Sequence, residues 1–141
     1  VPIMQTSHDD ALDQKADELI SWISANTYYP AVSIPQIMVV TTLPKSRFNY
    51  GGRGLIAGYN FKSQILYLKK GWSGKTPQDN GTLLHELLHH TQVISSSGPT
   101  CIRERELEAY AIELRYLREN HSKDWDLSPD LKTTLLALPC E

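Results

Sequence analysis

The stretch Leu84-His85-Glu86-Leu87-Leu88-His89-His90 carries the strongest signal in this chain. It contains His85-Glu86-x-x-His89, in which two histidines stand four residues apart. Residues with this spacing lie one above the other on the same face of an α-helix, so their imidazoles can bind one metal ion. The glutamate beside the first histidine can then take a proton from a water at the metal. The motif therefore predicts a zinc hydrolase with Glu86 as general base.

The residues around this motif predict the helix that carries it. Thr76 suits the N-cap, Pro77 suits the first helical position, and Asp79 completes a capping-box-like pair with Thr76. Residues 95–99, Ser-Ser-Ser-Gly-Pro, are typical of a loop and end the helix. We expect an apolar stripe to be buried, with both histidines of the motif at the edge of a cleft. The stripe consists of Leu83, Leu84, Leu87, Leu88 and Ile94.

A catalytic zinc site needs a third protein ligand and an open position for water. The metzincin pattern would place glycine three residues and histidine six residues after the second histidine, but Gln92 and Ser95 occupy those positions. The remaining option is a glutamate from the next helix, which starts at Pro99 or Thr100. Its candidate carboxylates are Glu104, Glu106, Glu108 and Glu113.

The apolar residues of this next helix indicate which of its glutamates face the core. The expected core-facing stripe consists of Leu107, Tyr110, Ala111, Leu114 and either Leu117 or Arg118. Glu106 borders this stripe, whereas Glu108 is expected to point more toward solvent. We expect an exposed face with i,i+4 pairs from Glu104, Arg105, Glu108, Arg115 and Arg118. Residue spacing alone leaves the choice among the carboxylates open.

The segment Glu106-Leu107-Glu108-Ala109-Tyr110 resembles the Glu-x-x-Ala-Asp/Asn helix of gluzincin-type metallopeptidases. Examples are the membrane-associated CAAX-processing proteases and the repressor-cleaving ImmA/IrrE type. In those families the first glutamate of the segment binds zinc, so the resemblance implies Glu106 as the third ligand. The family's Asp or Asn, four residues later, helps to position a ligand histidine, and Tyr110 stands at that place here. The longer ligand separation of aminopeptidase-type gluzincins would instead imply Glu108.

This resemblance covers residues from about 54 to 117, and only the two helices carry specific motifs. The strand residues Gly58-Tyr59 and Ile65-Leu66-Tyr67-Leu68, followed by the histidine motif and Gln92, are also similar to small zincin-like domains of bacterial secreted proteins. The resemblance implies an α+β, zincin-like fold. In it, a small three-stranded sheet packs on an N-terminal helix, the active-site helix that carries the histidines, and the ligand helix that carries the glutamates.

Hydrophobic patterns predict the remaining elements. Strands are expected over residues 37–41, 55–59 and 63–68, the last two as a hairpin. We hypothesise that the edge strand near residues 59–67 pairs with an extended peptide, as the sheet edge does in zincins. A first helix opens with a capping-box pattern at Ser7, and a short last helix runs from Ser128 to Leu136. The buried face of the first helix is expected to consist of Leu12, Ala16, Leu19, Ile20 and Ile23.

Length and composition narrow the functional classes. The 141 residues fit a single domain over 1–141, and the formal net charge of −2 comes without any run of lysine and arginine. Nucleic acid is therefore not an expected partner. No apolar stretch is long enough to span a membrane. We expect a monomer.

The two cysteines predict the compartment. Cys101 and Cys140 are expected to form a disulfide that fastens the C-terminal tail to the start of the ligand helix. Such a bridge favours a periplasmic or secreted protein, whereas two free thiols would be typical of a cytosolic one. The opening Val1-Pro2-Ile3-Met4 has no initiator methionine, which favours a trimmed chain or a mature form after signal-peptide removal.

Together these observations predict a zinc metallopeptidase that cleaves a peptide or protein substrate. Zn²⁺ would be held by His85, His89 and Glu106, and Glu86 would deprotonate the zinc-activated water. Tyr110 is expected among the catalytic residues, and the sequence leaves the donor to the oxyanion open among Tyr110, His90 and His121. Two alternatives stay open: a catalytically inactive zincin-like zinc-binding interaction module, and a secreted helical domain that binds no metal.

Overall fold

The computed structural model describes residues 4–6, 10–44, 56–121 and 125–140 of the chain. In chain order the elements are β1 (Met4–Thr6), α1 (Asp10–Asn26), β2 (Gln36–Val40), β3 (Ala57–Asn60), β4 (Ile65–Lys69), α2 (Pro77–Ser95), α3 (Ile102–Asn120) and α4 (Pro129–Leu136). The expected α+β class is confirmed. The predicted capping segment 7–9 and the predicted strand residue Leu55 lie outside the described residues.

The described strands form one mixed sheet in the order β1-β2-β4-β3. β3 and β4 are antiparallel, so the predicted hairpin is confirmed, while β2 runs parallel to β4. The three predicted strands are joined by a fourth, β1, which pairs antiparallel with β2. With three residues, β1 is too short to show an alternating pattern. The order leaves β3 at one edge of the sheet.

The two faces of the sheet have different neighbours. On one face, alternate residues join the main hydrophobic core with the helices. These residues are Ile37, Ala57, Tyr59, Leu66 and Leu68. The opposite face carries a smaller cluster built from Met38, Val40 and Tyr67. Because the hairpin packs on α2, the sheet is the support on which the histidine motif rests.

α2 begins and packs largely as predicted. The Thr76 side chain accepts a hydrogen bond from the Asp79 backbone N–H at 3.0 Å, and Pro77 is the first helical residue. The four leucines of the predicted stripe are fully buried. Ile94, the fifth member, is 44% exposed, so that part of the prediction is wrong. It shares a face with Leu87 but lies two turns further on, where other elements no longer cover that face.

α1 and α4 support the core from either end of the chain. All five residues of the predicted α1 face are buried, and this helix packs on α2. In α4, Ser128 caps the helix by accepting from the Leu131 backbone N–H at 3.1 Å. Leu131 and Leu135 are buried, and α4 packs on α3.

The core-facing side of α3 differs from the prediction. Glu106, Ala109, Tyr116 and Leu117 are buried, whereas Ala111 in the predicted stripe is exposed. A search for apolar residues at helical spacing passes over Glu106, because a carboxylate is normally excluded from a core. In the structure, polar partners face the buried side of α3 that carries Glu106. The apolar pattern therefore predicted a face of α3 that is rotated away from the side that is buried.

A disulfide fastens the C-terminal segment to the start of α3. Cys101, at the N-cap of α3, is bonded to Cys140, as the sequence predicted. Arg103 strengthens the attachment, since its backbone N–H donates to Pro139 O and its side-chain Nε donates to Leu138 O at 2.8 Å. Among the described residues, no helix combines the length and the apolar character needed to cross a membrane.

Candidate metal centre

Residues of α2 and α3 meet in an antiparallel pair that builds the site. Going forward along α2, its residues contact successively earlier positions of α3. The contacting pairs are Gly81 with Leu117, His85 with Glu113, His89 with Glu106, and Gln92 with Arg105. The short connection over residues 96–101 produces this arrangement by reversing the chain. Side chains distant in sequence are thereby brought to one buried point.

His85, His89 and Glu106, the three residues expected to bind zinc, lie close together. Glu106 Oε1 lies 2.9 Å from His85 Nε2 and 3.2 Å from His89 Nε2. The three residues are 6%, 2% and 6% exposed. Their ligand atoms all lie within 4.8 Å of one another, close enough to surround one metal ion. Two imidazole nitrogens and one carboxylate oxygen are a donor set that zinc accepts.

The other ring nitrogens of both histidines have acceptors. His85 Nδ1 lies 2.9 Å from a carboxylate oxygen of Glu113, and His89 Nδ1 lies 2.9 Å from Oε1 of Gln92. An acceptor at Nδ1 requires the proton there, so the Nε2 lone pairs are available for a metal. Glu113, one of the four candidate ligands, therefore contacts the ring from the side opposite Glu106.

Glu108, the alternative third ligand, does not belong to the converging group. Its Oε1 accepts hydrogen bonds from Gln92 Nε2 at 2.9 Å and from the Tyr29 hydroxyl. It is half-buried and so more open than the buried Glu106, which agrees with the expectation that it points more toward solvent. The Gln92 and Tyr29 donors hold one oxygen of this carboxylate in place, which a helical pattern alone could not show.

Neighbouring ionisable groups shift the pKa values of His85 and Glu106. Burial opposes protonation of His85, but hydrogen bonds to Glu106 and Glu113 outweigh burial and raise its pKa well above the ordinary value of 6.5. Burial also disfavours the Glu106 carboxylate, yet His89 and His85 hold its pKa far below 4.5. In the metal-free protein, positive charge on imidazole therefore balances Glu106. A divalent cation would supply the same compensation.

Glu86 lies beside these groups and is differently placed. Burial raises the pKa of its carboxyl above 4.5, while the neighbouring His85 and His89 act in the opposite direction. It is half-buried, and its carboxylate forms no hydrogen bond with any residue in the described ranges. A carboxylate with raised pKa and unused acceptor capacity is suited to proton transfer.

Tyr110 lies against the ring of His85. The two ring centroids are 4.4 Å apart, with the planes at 67°. Burial raises the pKa of the Tyr110 hydroxyl, so the residue is a neutral donor at physiological pH. Its position therefore allows contact with the site, but His85 Nδ1–H donates its hydrogen bond to Glu113, three residues further along α3, and not to Tyr110.

A second wall of the site comes from the turn after β3. The Phe61 ring lies edge-on to His89, with centroids 5.0 Å apart. The Phe61 ring also contacts the Arg105 guanidinium, whose Cζ is 4.7 Å from the ring centroid, and lies edge-on to Tyr59 with centroids 5.5 Å apart. No sequence pattern points to Phe61, because an isolated aromatic residue in a turn has no periodic spacing.

His90 and His121 are excluded from the oxyanion role that sequence analysis considered. His90 Nε2 donates to Ser33 O at 3.2 Å, so its Nδ1 accepts from the Tyr59 hydroxyl at 2.8 Å. The ring of His90 therefore connects α2 to β3 through Tyr59 and to the loop before β2 through Ser33. His121 is exposed at the C-cap of α3, which places it about 22 Å along the helix from Glu106.

Comparison with known proteins identifies a family. A family model described as "Domain of unknown function (DUF6647)" matches residues 8–138. The chain has no significant match among curated proteins or solved structures. The match spans α1 to α4, so every residue that converges at the site lies within it.

Proposed function

Because the chain belongs to the DUF6647 family of domains of unknown function, we propose its activity from the site itself: a zinc-dependent metallopeptidase with a zincin-like fold. The observation that carries this proposal is the convergence of His85, His89 and Glu106 within 4.8 Å. Glu86 follows the first of these residues directly in α2, as the general base of such an enzyme would. A buried trio of this kind, with a spare carboxylate beside it, supports hydrolysis more directly than any other chemistry.

Each residue of the site would have a separate role in the hydrolysis. His85, His89 and Glu106 hold the ion, which when bound supplies Lewis acidity that lowers the pKa of water and polarises a carbonyl. Glu86 accepts the proton of the attacking water and passes it to the departing amine. The neutral Tyr110 hydroxyl is our candidate donor to the carbonyl oxygen as negative charge develops.

The edge position of β3 supports a peptide substrate. β3 and β4 are antiparallel, and the Lys69 N–H donates to Ile56 O, so Ile56 and Lys69 form a hydrogen-bonded pair. The register places Gly58 and Asn60 in hydrogen-bonded pairs with β4 as well. Ala57 and Tyr59 therefore direct their backbone groups away from β4. Within the described part of the chain no strand pairs with these groups, and we propose that an extended peptide substrate adds to this edge, the role hypothesised for this segment.

A zinc-binding interaction module without catalysis is the second candidate. The burial of the three converging residues favours it, since structural zinc sites are closed to solvent. The half-buried Glu86 favours the enzyme, because a structural site needs no base. These two functions differ in whether bound zinc produces hydrolysis.

The disulfide supports a periplasmic or secreted location for a monomeric enzyme. A bridge such as Cys101–Cys140 persists in oxidising compartments and is rare in the cytosol. This location belongs to the proposal, as does the choice of a peptide substrate over other amides.

The test combines metal content with turnover. Protein purified without added metal is analysed by mass spectrometry and then incubated, zinc-loaded, with a broad peptide library. The proposal expects about one zinc per chain and cleavage that a chelator abolishes. Zinc without any cleavage would favour the interaction module. Absence of zinc even after equilibration and dialysis would refute both.

A further inference from the structure

A continuous line of hydrogen bonds leads from His89 away from the metal centre. Gln92 Oε1 accepts from His89 Nδ1–H at 2.9 Å, and the Gln92 amide nitrogen donates to Glu108 Oε1 at 2.9 Å and to Arg105 O at 3.1 Å. The hydroxyl of Tyr29 donates to the same Glu108 oxygen. We call Gln92, Glu108 and Tyr29 the relay.

The relay has only one consistent direction. The Arg105 carbonyl and the Glu108 carboxylate accept but cannot donate, so both must face the Gln92 NH₂ group. The carbonyl oxygen of Gln92 is then turned toward His89, which has to supply a proton from Nδ1. An inverted amide would place oxygen against two acceptors. The orientation of one buried amide therefore places a proton on His89 Nδ1 and leaves Nε2 to face Glu106.

From this geometry we infer that Gln92, oriented by Glu108, is a positioning residue that holds His89 with its proton on Nδ1 and its Nε2 directed at Glu106. The inference deepens the proposed function and rests on it for the identity of the metal. It also assigns Glu108 a role, since this carboxylate stands beyond Gln92 and orients the amide without reaching the ligand group.

Several features of the structure hold the relay in place. Gln92 and Tyr29 are 2% and 1% exposed, so neither can exchange its partner for bulk water. Tyr28 adds a donor to Glu108 Oε2 at 3.3 Å from the surface. Gly98 leaves room for Tyr29, because a Cβ atom there would lie 2.0 Å from the tyrosine hydroxyl oxygen. The glycine of the loop after α2 therefore also serves this hydroxyl.

The two histidines are supported by different chemistry. His85 donates directly to the carboxylate of Glu113, whereas His89 reaches the carboxylate of Glu108 only through a neutral amide. A carboxylate at position 92 would stand against Glu108 and repel it. Glutamine accepts on one side and donates on the other, so it transmits the orienting effect without a second negative charge.

A charge swap tests the inference. We would measure zinc affinity by chelator competition for the wild type, Gln92→Leu, Gln92→Glu and the double variant Gln92→Glu/Glu108→Gln. Gln92→Leu is expected to weaken zinc binding by about 10- to 100-fold. Gln92→Glu should also bind zinc more weakly, because its new carboxylate faces the carboxylate of Glu108. The double variant restores one acceptor and one donor, and it should regain at least half of the loss in log Kd.

A direct readout separates positioning from a general loss of structure. ¹⁵N-resolved NMR of the zinc-loaded protein, in which the metal occupies Nε2, should show a His89 Nδ1–H that exchanges slowly with solvent in the wild type and faster in Gln92→Leu, while the His85 Nδ1–H is unchanged. A wild-type affinity in Gln92→Leu, a double variant no better than Gln92→Glu, or an unchanged exchange rate of the His89 Nδ1–H in Gln92→Leu would overturn the inference. Failure of hydrolysis with these effects intact would refute the peptidase and leave the relay standing.

Discussion

Nδ1 of His85 lies 2.9 Å from a carboxylate oxygen of Glu113, while Nε2 of the same ring lies 2.9 Å from Glu106. One imidazole is thus held between two carboxylates that are seven residues apart on α3. This separation returns to the same face of a helix after two turns. The first carboxylate can act as a metal ligand, and the second can fix the ring that acts as another.

Glu113 should control metal affinity through His85. We expect Glu113→Leu to weaken zinc binding by about 10- to 100-fold, because it removes the acceptor that fixes the ring. Glu113→Gln should lose less, since an amide oxygen still accepts from Nδ1–H. Chelator competition measures both, with Glu104→Gln as an exposed control on the same helix. Equal affinities for wild type and Glu113→Leu would contradict the assigned role.

Glu106 and Glu108 should respond differently to removal. Glu106→Ala deletes a converging ligand atom and is expected to abolish stoichiometric zinc. Glu108→Ala should retain zinc with lowered affinity, because it leaves Gln92 less firmly oriented. Metal content after dialysis, followed by titration, distinguishes the two. If Glu108→Ala lost zinc and Glu106→Ala kept it, the ligand assignment would have to be reversed.

Glu86 should separate binding from turnover. Glu86→Gln keeps the size of the side chain but cannot accept the proton, so zinc content should be unchanged and kcat should fall by about 10²- to 10⁴-fold. The comparison is made with zinc-loaded proteins on a peptide that the wild type cleaves. Undiminished turnover in Glu86→Gln would mean that another group is the base.

The metal-free protein should lose stability as pH rises above neutrality. His85 has a raised pKa in the folded state, so its proton stabilises the fold fully below about 6.5 and less as pH rises through the raised value. Urea unfolding at pH 6.5 and pH 9 would measure this change in the free energy of unfolding. Zinc replaces the proton, so the zinc-bound protein should not show the same decline. A metal-free protein that is more stable at pH 9 would contradict this.

Gly98 should be sensitive to the addition of one methyl group. Gly98→Ala places Cβ on the Tyr29 hydroxyl and is expected to cost about 1–3 kcal/mol of unfolding free energy. Ser97→Ala, an exposed neighbour, should change stability by less than about 0.5 kcal/mol. Urea denaturation compares the pair. A neutral Gly98→Ala would show that Tyr29 can move without loss.

Structural features that depend on local sequence were predicted correctly. The Thr76 cap, the proline start of α2 and the start of α4 at Pro129 are all present. The disulfide also formed as expected. These features depend on residues within one turn, or on a chain that offers only two cysteines. Their physics does not require knowledge of the remaining fold.

Errors arose where a polar residue occupies a buried position. The predicted stripe of α3 followed apolar residues and reached the exposed Ala111, because Glu106 and Glu113 take places that a core would normally reserve for aliphatic side chains. Their seven-residue spacing was a usable signal, since it places two carboxylates on one face. The paired spacing in α2 was recognised, but its counterpart in α3 was not.

By itself the sequence determined the motif helix, its boundaries, its buried leucines and the two histidines suited to bind a metal ion, whereas Glu106 was implied only by the family resemblance. Only the tertiary structure decided which carboxylate meets which nitrogen. That choice depends on how α3 is rotated and shifted against α2, and a rotation of one residue, about 100°, would exchange the facing side chains. Helical periodicity describes each helix about its own axis, whereas the relay of Gln92, Glu108 and Tyr29 exists only between elements.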